Sequence, residues 1–301
     1  MTTPEQADWA NCRYLTCSVL PVRVACNCDC RFCFSKSSIS SLDGERTDWA
    51  SLDVEAYYRY ARERGATRLV ITGGGEPMLR PEDVLRLLRR GRPFFEELAL
   101  FTNATFLTPE LASELHDAGL SYVCFSRHHQ SDERNWSLMG KSAPSLEQFF
   151  ANVGKLRVRA TCVMARGYVE HEADVWAYID ALTHYGIREF TFKHTYVAYP
   201  QSMFRKSNAD RWAREHRVEA DPFANHGTVV GSLPWGPTIR TVSRNHKECT
   251  VCHYREPTPN WELRHQIGRS LNLLSDGTVY GSLEDERSRL FQLRNSREPS
   301  A

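Results

Sequence analysis

Between Leu52 and His194 the chain alternates short apolar runs with amphipathic stretches, a pattern that leaves few folds open. Residues 52–64 carry apolar side chains at helical spacing, stop at Gly65 and feed the run Leu69-Val70-Ile71. The unit then recurs. Helices are expected over 81–90, from Thr108-Pro109 to near Gly119, over 145–155, and over 171–185 before Gly186; strands are expected over 98–101, 122–125, 156–163 and 189–194. Val22-Arg23-Val24 reads as a first strand. Strands separated by single helices call for right-handed crossovers and a parallel sheet. Six units by residue 195 are too few for a closed eight-unit barrel, so the expected fold is α/β: a partial (β/α)6 TIM-type barrel over residues 1–199.

Beyond Tyr199 the alternation dissolves, and residues 200–301 read as a C-terminal extension covering the substrate side. Residues 200–265 show no sustained period; Leu271 to Leu274, the turn Ser275-Asp276-Gly277 and Thr278 to Tyr280 form a hairpin pattern. The charge-rich tail 284–301 reads as a helix.

The charge balance bounds partners and compartment. A formal net charge of +1, with 25% charged residues, excludes a general basic surface for nucleic acid. No apolar run reaches the roughly 18 residues of a membrane span, and the first ten residues lack a basic start and apolar core. A cytoplasmic location is therefore expected, where ten cysteines read as metal ligands or redox groups before disulfides.

Four of those cysteines, Cys26, Cys28, Cys30 and Cys33, fall within eight residues, on the loop leaving the expected first strand. Soft thiolates packed this closely select iron–sulfur clusters, Cu(I) or zinc. Cys26, Cys30 and Cys33 form Cys-x3-Cys-x2-Cys; Cys28 reads as a bystander, because ligation there would strain the turn. Three thiolates on a 4Fe-4S cube leave one iron open, and an open position is where chemistry occurs. After the second strand comes Thr72-Gly73-Gly74-Gly75-Glu76-Pro77. Such a run is either a tight turn or a place where backbone approaches a ligand and directs amide groups at it.

The cysteine motif and Gly-Gly-Glu-Pro, in that order, resemble the radical S-adenosylmethionine (SAM) superfamily. Leu100-Phe101-Thr102-Asn103-Ala104 is similar to its Thr-Asn-Gly strand end, with Ala104 in place of Gly. The strand 122–126 resembles its ribose-contacting strand, and 163–172, with Gly167 and Val169, its adenine-contacting segment. The resemblance covers residues 20–195. It implies that Cys26, Cys30 and Cys33 hold a 4Fe-4S cluster whose open iron chelates SAM, and that reductive cleavage yields a 5′-deoxyadenosyl radical that takes hydrogen from a small-molecule or peptide substrate. Phe32 would flank the adenine. Gly74, Gly75 and Glu76 would receive the methionyl amino group, Asn103 and Val169 would join the cofactor site, and Ser126 with Arg127 would reach ribose or carboxylate. Arg127, His128 and Lys193 are the candidate catalytic residues at the rim. An external electron donor such as flavodoxin or ferredoxin follows from the same resemblance.

Cys249 and Cys252, flanked by His246 and His253, form the other concentrated site. Three readings stand: no metal, zinc with His246, His253 or His265, or a cluster completed by distant cysteines. The stretch 275–280 resembles an element that precedes a ligand cysteine in auxiliary-cluster domains, but Gly281-Ser282 follows here. Cys124 and Cys162 lie within apolar strands and read as small buried hydrophobes. A glycyl-radical activating enzyme and a non-enzymatic iron–sulfur or zinc protein are the alternatives to a tailoring enzyme.

Overall fold

The computed structural model describes residues 9–42 and 47–293. Six strands follow the expected alternation: β1 (Arg13–Val19), β2 (Arg68–Ile71), β3 (Glu97–Thr102), β4 (Tyr122–Ser126), β5 (Val158–Val163) and β6 (Glu189–Lys193). They pair in that order, all parallel. The helices between them are α1 (Val54–Glu63), α2 (Pro81–Gly91), α3 (Pro109–Asp117), α4 (Asp132–Met139), α5 (Leu146–Asn152) and α6 (Glu172–His184). Their starts have local causes. Asp53, Thr108 and Ser145 each accept a backbone N–H of the first turn, and Pro81 and Pro109 sit where the missing N–H costs nothing.

The first strand lies upstream of its expected place. Arg23 makes only an isolated bridge to Gly74, while Arg13–Val19 pairs with β2 and contributes Tyr14, Cys17 and Val19 to the interior. A parallel strand covered on both faces need not alternate, so Thr16 and Ser18 masked it.

The segment after Tyr199 is more ordered than its composition suggests. It contains α7 (Asn208–Glu215), β7 (Thr228–Ser232), β8 (Thr238–Arg244), β9 (Lys247–Tyr254), α8 (Pro259–His265), β10 (Ile267–Leu273), β11 (Thr278–Tyr280) and β12 (Arg289–Gln292). The sheet order is β12-β11-β10-β1-β2-β3-β4-β5-β6-β9-β8-β7. β10 joins β1 and β9 joins β6, both parallel, so strands of the extension flank the partial barrel on each side. The β10–β11 hairpin forms as expected, with Gly277 at φ 82° in its turn. Where a tail helix was expected, a single 3₁₀ turn (Glu286–Ser288) leads into β12; residues 294–301 of that expectation lie outside the described part, as do 1–8 and 43–46.

The main core lies between the sheet and its helices, and Phe149 of α5 is central to one part of it. Its ring is 1% exposed and stacks on Phe125 of β4, with centroids 3.7 Å apart and planes 6° from parallel. Phe149→Ala should cost about 3–5 kcal/mol, read as a lower urea midpoint with the same slope.

Candidate active site

The loop that carries the four cysteines is sewn to the glycine loop after β2. Val24 N–H donates to the Gly74 carbonyl (3.1 Å), Gly74 N–H to the Val22 carbonyl (3.1 Å) and Glu76 N–H to the Ala25 carbonyl (2.9 Å). The glycines make this approach possible, since a Cβ on Gly75 would lie 1.9 Å from the Ala25 carbonyl oxygen. Two of the amides expected to face a ligand are thus spent on the seam. Val24 sits at φ 62° while Ala25 N–H bonds the Arg23 carbonyl at 2.7 Å; this γ-turn holds a β-branched residue in a strained backbone.

Glu76 ties the seam to the next strand end. It is 2% exposed and accepts from Met78 N–H (3.0 Å), the Thr102 hydroxyl (2.6 Å) and Asn103 N–H (2.9 Å). Burial pushes its carboxyl up to about 7, against the pull of those three donors. Asn103 in turn gives its amide to the Asn27 side chain (2.9 Å) and to Cys26 Sγ (3.8 Å). Ala104 takes the left-handed conformation that its position demands, at φ 62°, with its N–H on the Thr102 hydroxyl at 2.9 Å.

The thiols themselves differ. Cys26 is exposed and accepts Cys28 N–H at 3.4 Å; hydrogen bonds from Cys28 and Asn103, with the charge of Lys36, hold it down at about 6. The Cys28 thiol is pushed up by its bond to Cys26 and by burial, and the Cys30 thiol by burial. All ten cysteines are free of disulfides. Among the described residues no three His, Cys, Asp or Glu side chains are placed to hold a single ion. Cys26, Cys28, Cys30 and Cys33 are all free on one loop, and a set of soft thiolates is the donor chemistry that a 4Fe-4S group takes.

Phe32 and His128 meet, with centroids 4.7 Å apart in an edge-on contact. Phe32 also touches Trp212 of α7 at 5.6 Å. His128 Nδ1 accepts Val163 N–H at 3.0 Å, which puts the ring proton on Nε2; burial, with Arg127 and Lys193 nearby, lowers the imidazole to about 3. His128 is thus a neutral prop for Phe32. Helix α4 backs the cysteine loop: Leu138 and Met139 pack with Phe32 and Cys28, and the Met139 carbonyl accepts Asp29 N–H at 2.8 Å.

Other expected site residues stand elsewhere. Arg127 is fully buried and its fork is consumed by the carbonyls of His129 (2.9 Å), Pro144 (3.2 Å) and Gln130 (3.2 Å) and by Asp132 (2.5 Å). It shapes the loop before α4, and four of its five N–H donors are spent there, so it is not the open fork that a substrate or cofactor carboxylate would need. Ser126 is half-buried at the end of β4. The Val169 side chain lies in the main core, so only its backbone could meet a ligand. Cys249 and Cys252 belong to β9, where residues three apart point to opposite faces; Cys249 packs in the core outside the barrel while Cys252 lies near Arg159 and Lys193. That divergence rules out one ion held by the pair. Zinc-knuckle spacing requires a turn, and this is a strand.

A second group of residues, dispersed in sequence, surrounds a cavity of 480 Å³ whose lining includes His194, Tyr196, Trp235, Arg255, Trp261 and Glu284. The Tyr196 ring meets Phe34, the residue after Cys33, edge-on at 4.6 Å. Lys193 at the end of β6 pairs with Glu256 (3.1 Å) and lies 4.8 Å from the Tyr254 ring centre. Arg269 of β10 bonds the other Glu256 oxygen and stands 3.6 Å from Glu284. Burial would raise Glu256, but Arg269 and Lys193 outweigh it and hold the group at about 2; burial lifts Glu284 to about 8 despite Arg269. No motif announced these residues, because each stands alone in the sequence and only the strand order joins them.

Two outcomes follow from this geometry. Gly75→Ala should force the seam apart, lowering thermal stability by at least about 2 kcal/mol and reducing iron retained after reconstitution. Unfolded, Glu284 would lose its proton near pH 4.5, whereas folded it holds it until about 8. Its burial therefore costs stability as pH rises through that window, up to about 2 kcal/mol between pH 6 and 8, and Glu284→Gln should flatten the fall in chemical denaturation.

The model of the radical SAM superfamily matches residues 20–181. A probable GTP 3′,8-cyclase of Pyrococcus abyssi is 40% identical over 101 residues, covering 34% of this chain and 31% of that protein. An AdoMet-dependent heme synthase of Methanosarcina barkeri is 30% identical over 133 residues, 44% of this chain and 36% of its own length. The matched region thus spans about a third of these relatives. In fold, the chain is similar to SuiB of Streptococcus suis bound to the precursor peptide SuiA, with a TM-score of 0.57 at 16% identity over 96% of this chain and 64% of that one. Free thiols on a loop anchored to a triple-glycine turn, in a partial parallel barrel, agree with the family match over more than half the chain: this protein belongs to the radical SAM superfamily, whose enzymes use a 4Fe-4S cluster and S-adenosylmethionine.

Proposed function

We propose that the chain is a radical SAM tailoring enzyme that takes hydrogen from a small-molecule or peptide substrate held in the cavity beside the cysteine loop. The contact of Tyr196 with Phe34, next to Cys33, carries this reading, because it sets the cavity wall against the loop that would hold the cluster. Cys26, Cys30 and Cys33 are the ligands, and Cys28, turned among Phe32, Leu138 and Met139, is the bystander. When bound, the cluster and SAM supply one-electron cleavage of a carbon–sulfur bond and the radical that abstracts hydrogen.

The protein's own residues do the positioning. Gly74 to Glu76 offer backbone carbonyls to an ammonium group, while the Glu76 side chain serves chiefly to lock that loop to Thr102 and Asn103. Phe32, braced by His128 and Trp212, presents an aromatic face for the adenine. Ser126 remains for the ribose, and Lys193, fixed by Glu256, stands at the cavity side of the barrel mouth. The described part of the extension, residues 200–293, covers the substrate and completes the cavity. The named relatives act on GTP or in heme synthesis, and SuiB binds a peptide; such different substrates favour a shared radical step over a shared substrate.

An external one-electron donor such as flavodoxin or ferredoxin has an approach at the loop neck, where Val24 is 56% exposed beside exposed Ala25 and Cys26. Among the described residues no helix is long and apolar enough to cross a membrane. The reducing cytoplasm suits ten free thiols.

Anaerobic reconstitution with iron and sulfide, followed by SAM and a strong reductant, should give 5′-deoxyadenosine from wild type and none from Cys30→Ala. Equal yields from the two would defeat the proposal. Cys249→Ser with Cys252→Ser should leave the iron content unchanged.

A further inference from the structure

Four arginines line the cavity, and their bonding is unequal. Arg214 is committed to Asp210 (3.0 Å) and to the Ala198 carbonyl (2.8 Å). Arg217 faces Glu219 at 3.0 Å, with both side chains well exposed, so the pair is weak and exchangeable. Among the described residues, Arg205 reaches the Pro200 carbonyl alone, at 3.4 Å. The Arg255 guanidinium has no hydrogen-bond or ion-pair partner among the described residues; only its backbone carbonyl is engaged, by Trp235.

The acids of the cavity do not offset these cations. Glu256 is already shared by Lys193 and Arg269, two cations for one carboxylate. Burial keeps Glu284 protonated over most of the neutral range. A surplus of positive charge therefore faces the cavity, with a guanidinium fork left over whose planar geometry matches a carboxylate or phosphate.

The wall beside that fork is aromatic. Trp235 donates its indole N–H to the Arg255 carbonyl at 2.8 Å and meets Tyr254 (6.0 Å) and Trp261 (6.1 Å) in edge-on contacts. Resting on the reading of this cavity as the substrate site, we propose that it takes a small organic anion: a carboxylate or phosphate received by Arg255, with Arg205 and Arg217 nearby, on a flat or apolar body lying against Trp235 and Trp261. The cavity volume of 480 Å³ suits a compact molecule and lies within the ordinary range for small-ligand sites.

Calorimetric titration of the reconstituted protein without SAM, using phenyl phosphate, benzoate, benzyl alcohol and benzylamine, tests the assignment without turnover. At least one anion should bind at least tenfold more tightly than the alcohol or the amine, and the tighter of the two identifies the head group. Arg255→Gln should weaken that anion at least tenfold, while Arg89→Gln, an equal loss of charge on exposed α2, should not. Equal binding of the alcohol, preference for the amine as expected of a cationic peptide side chain, absence of saturable anion binding, or indifference to Arg255→Gln would each overturn it. Failure to form 5′-deoxyadenosine would instead strike the enzyme reading and leave the titration result standing.

Discussion

The active end of this protein depends on a seam of three backbone hydrogen bonds between residues 22–25 and 74–76. Two loops leaving adjacent parallel strands would otherwise diverge, and loops cost entropy to order. Glycine at three successive positions lets the backbones meet at a distance no side chain permits, and Glu76 then fastens the pair to the end of β3. The strained turn at Val24 shows how strongly the seam dictates the path into the cysteines. A buried carboxyl with three donors is stiff, which is what a loop needs if its thiols are to hold fixed positions.

The second constraint is electrostatic. Lys193, Glu256, Arg269 and Glu284 come from β6, the β9–α8 connection, β10 and the segment after β11, and they share one low-dielectric region. Removing Glu256 would leave the partly buried Lys193 and Arg269 cations without the carboxylate they share, so these groups act as a unit. The same unit sets the sign of the field in the adjacent cavity.

The legible part of the fold was the part driven by apolar burial. Strands β2 to β4 read clearly because parallel strands covered on both faces are largely apolar runs, β5 and β6 because their apolar residues are bounded by turn signals, and the helices because Asp53, Thr108 and Ser145 mark their starts. β1 and β9 were hidden by polar residues that find partners only in the assembled sheet. The site divided in the same way. The cysteine and glycine loops are short local motifs, whereas Arg127 looked like a rim cation and proved to be a loop organiser, because its partners at 129, 130, 132 and 144 depend on a turn that spacing does not reveal. For Cys249 and Cys252 the spacing leaves no metal, zinc and a completed cluster all open, because it does not reveal that the backbone there is an extended strand.

The pairing of β9 with β6 and of β10 with β1 has a consequence for how such an enzyme could vary. A separable lid could change without disturbing the barrel. Here the chain between those strands, residues 255–266, supplies Arg255, Glu256, Trp261 and Glu262, so side chains facing the cavity and side chains fixing the sheet edges are neighbours. Arg269 makes the coupling tight, since its backbone N–H is held by Glu262 at 2.7 Å while its guanidinium neutralises Glu256. Substitutions that retune the cavity at Glu256 would loosen the attachment of β10, and those at Arg255, which bonds through its backbone alone, would not. Specificity should therefore drift most readily through the outward arginines, with the buried charge group held constant beneath them.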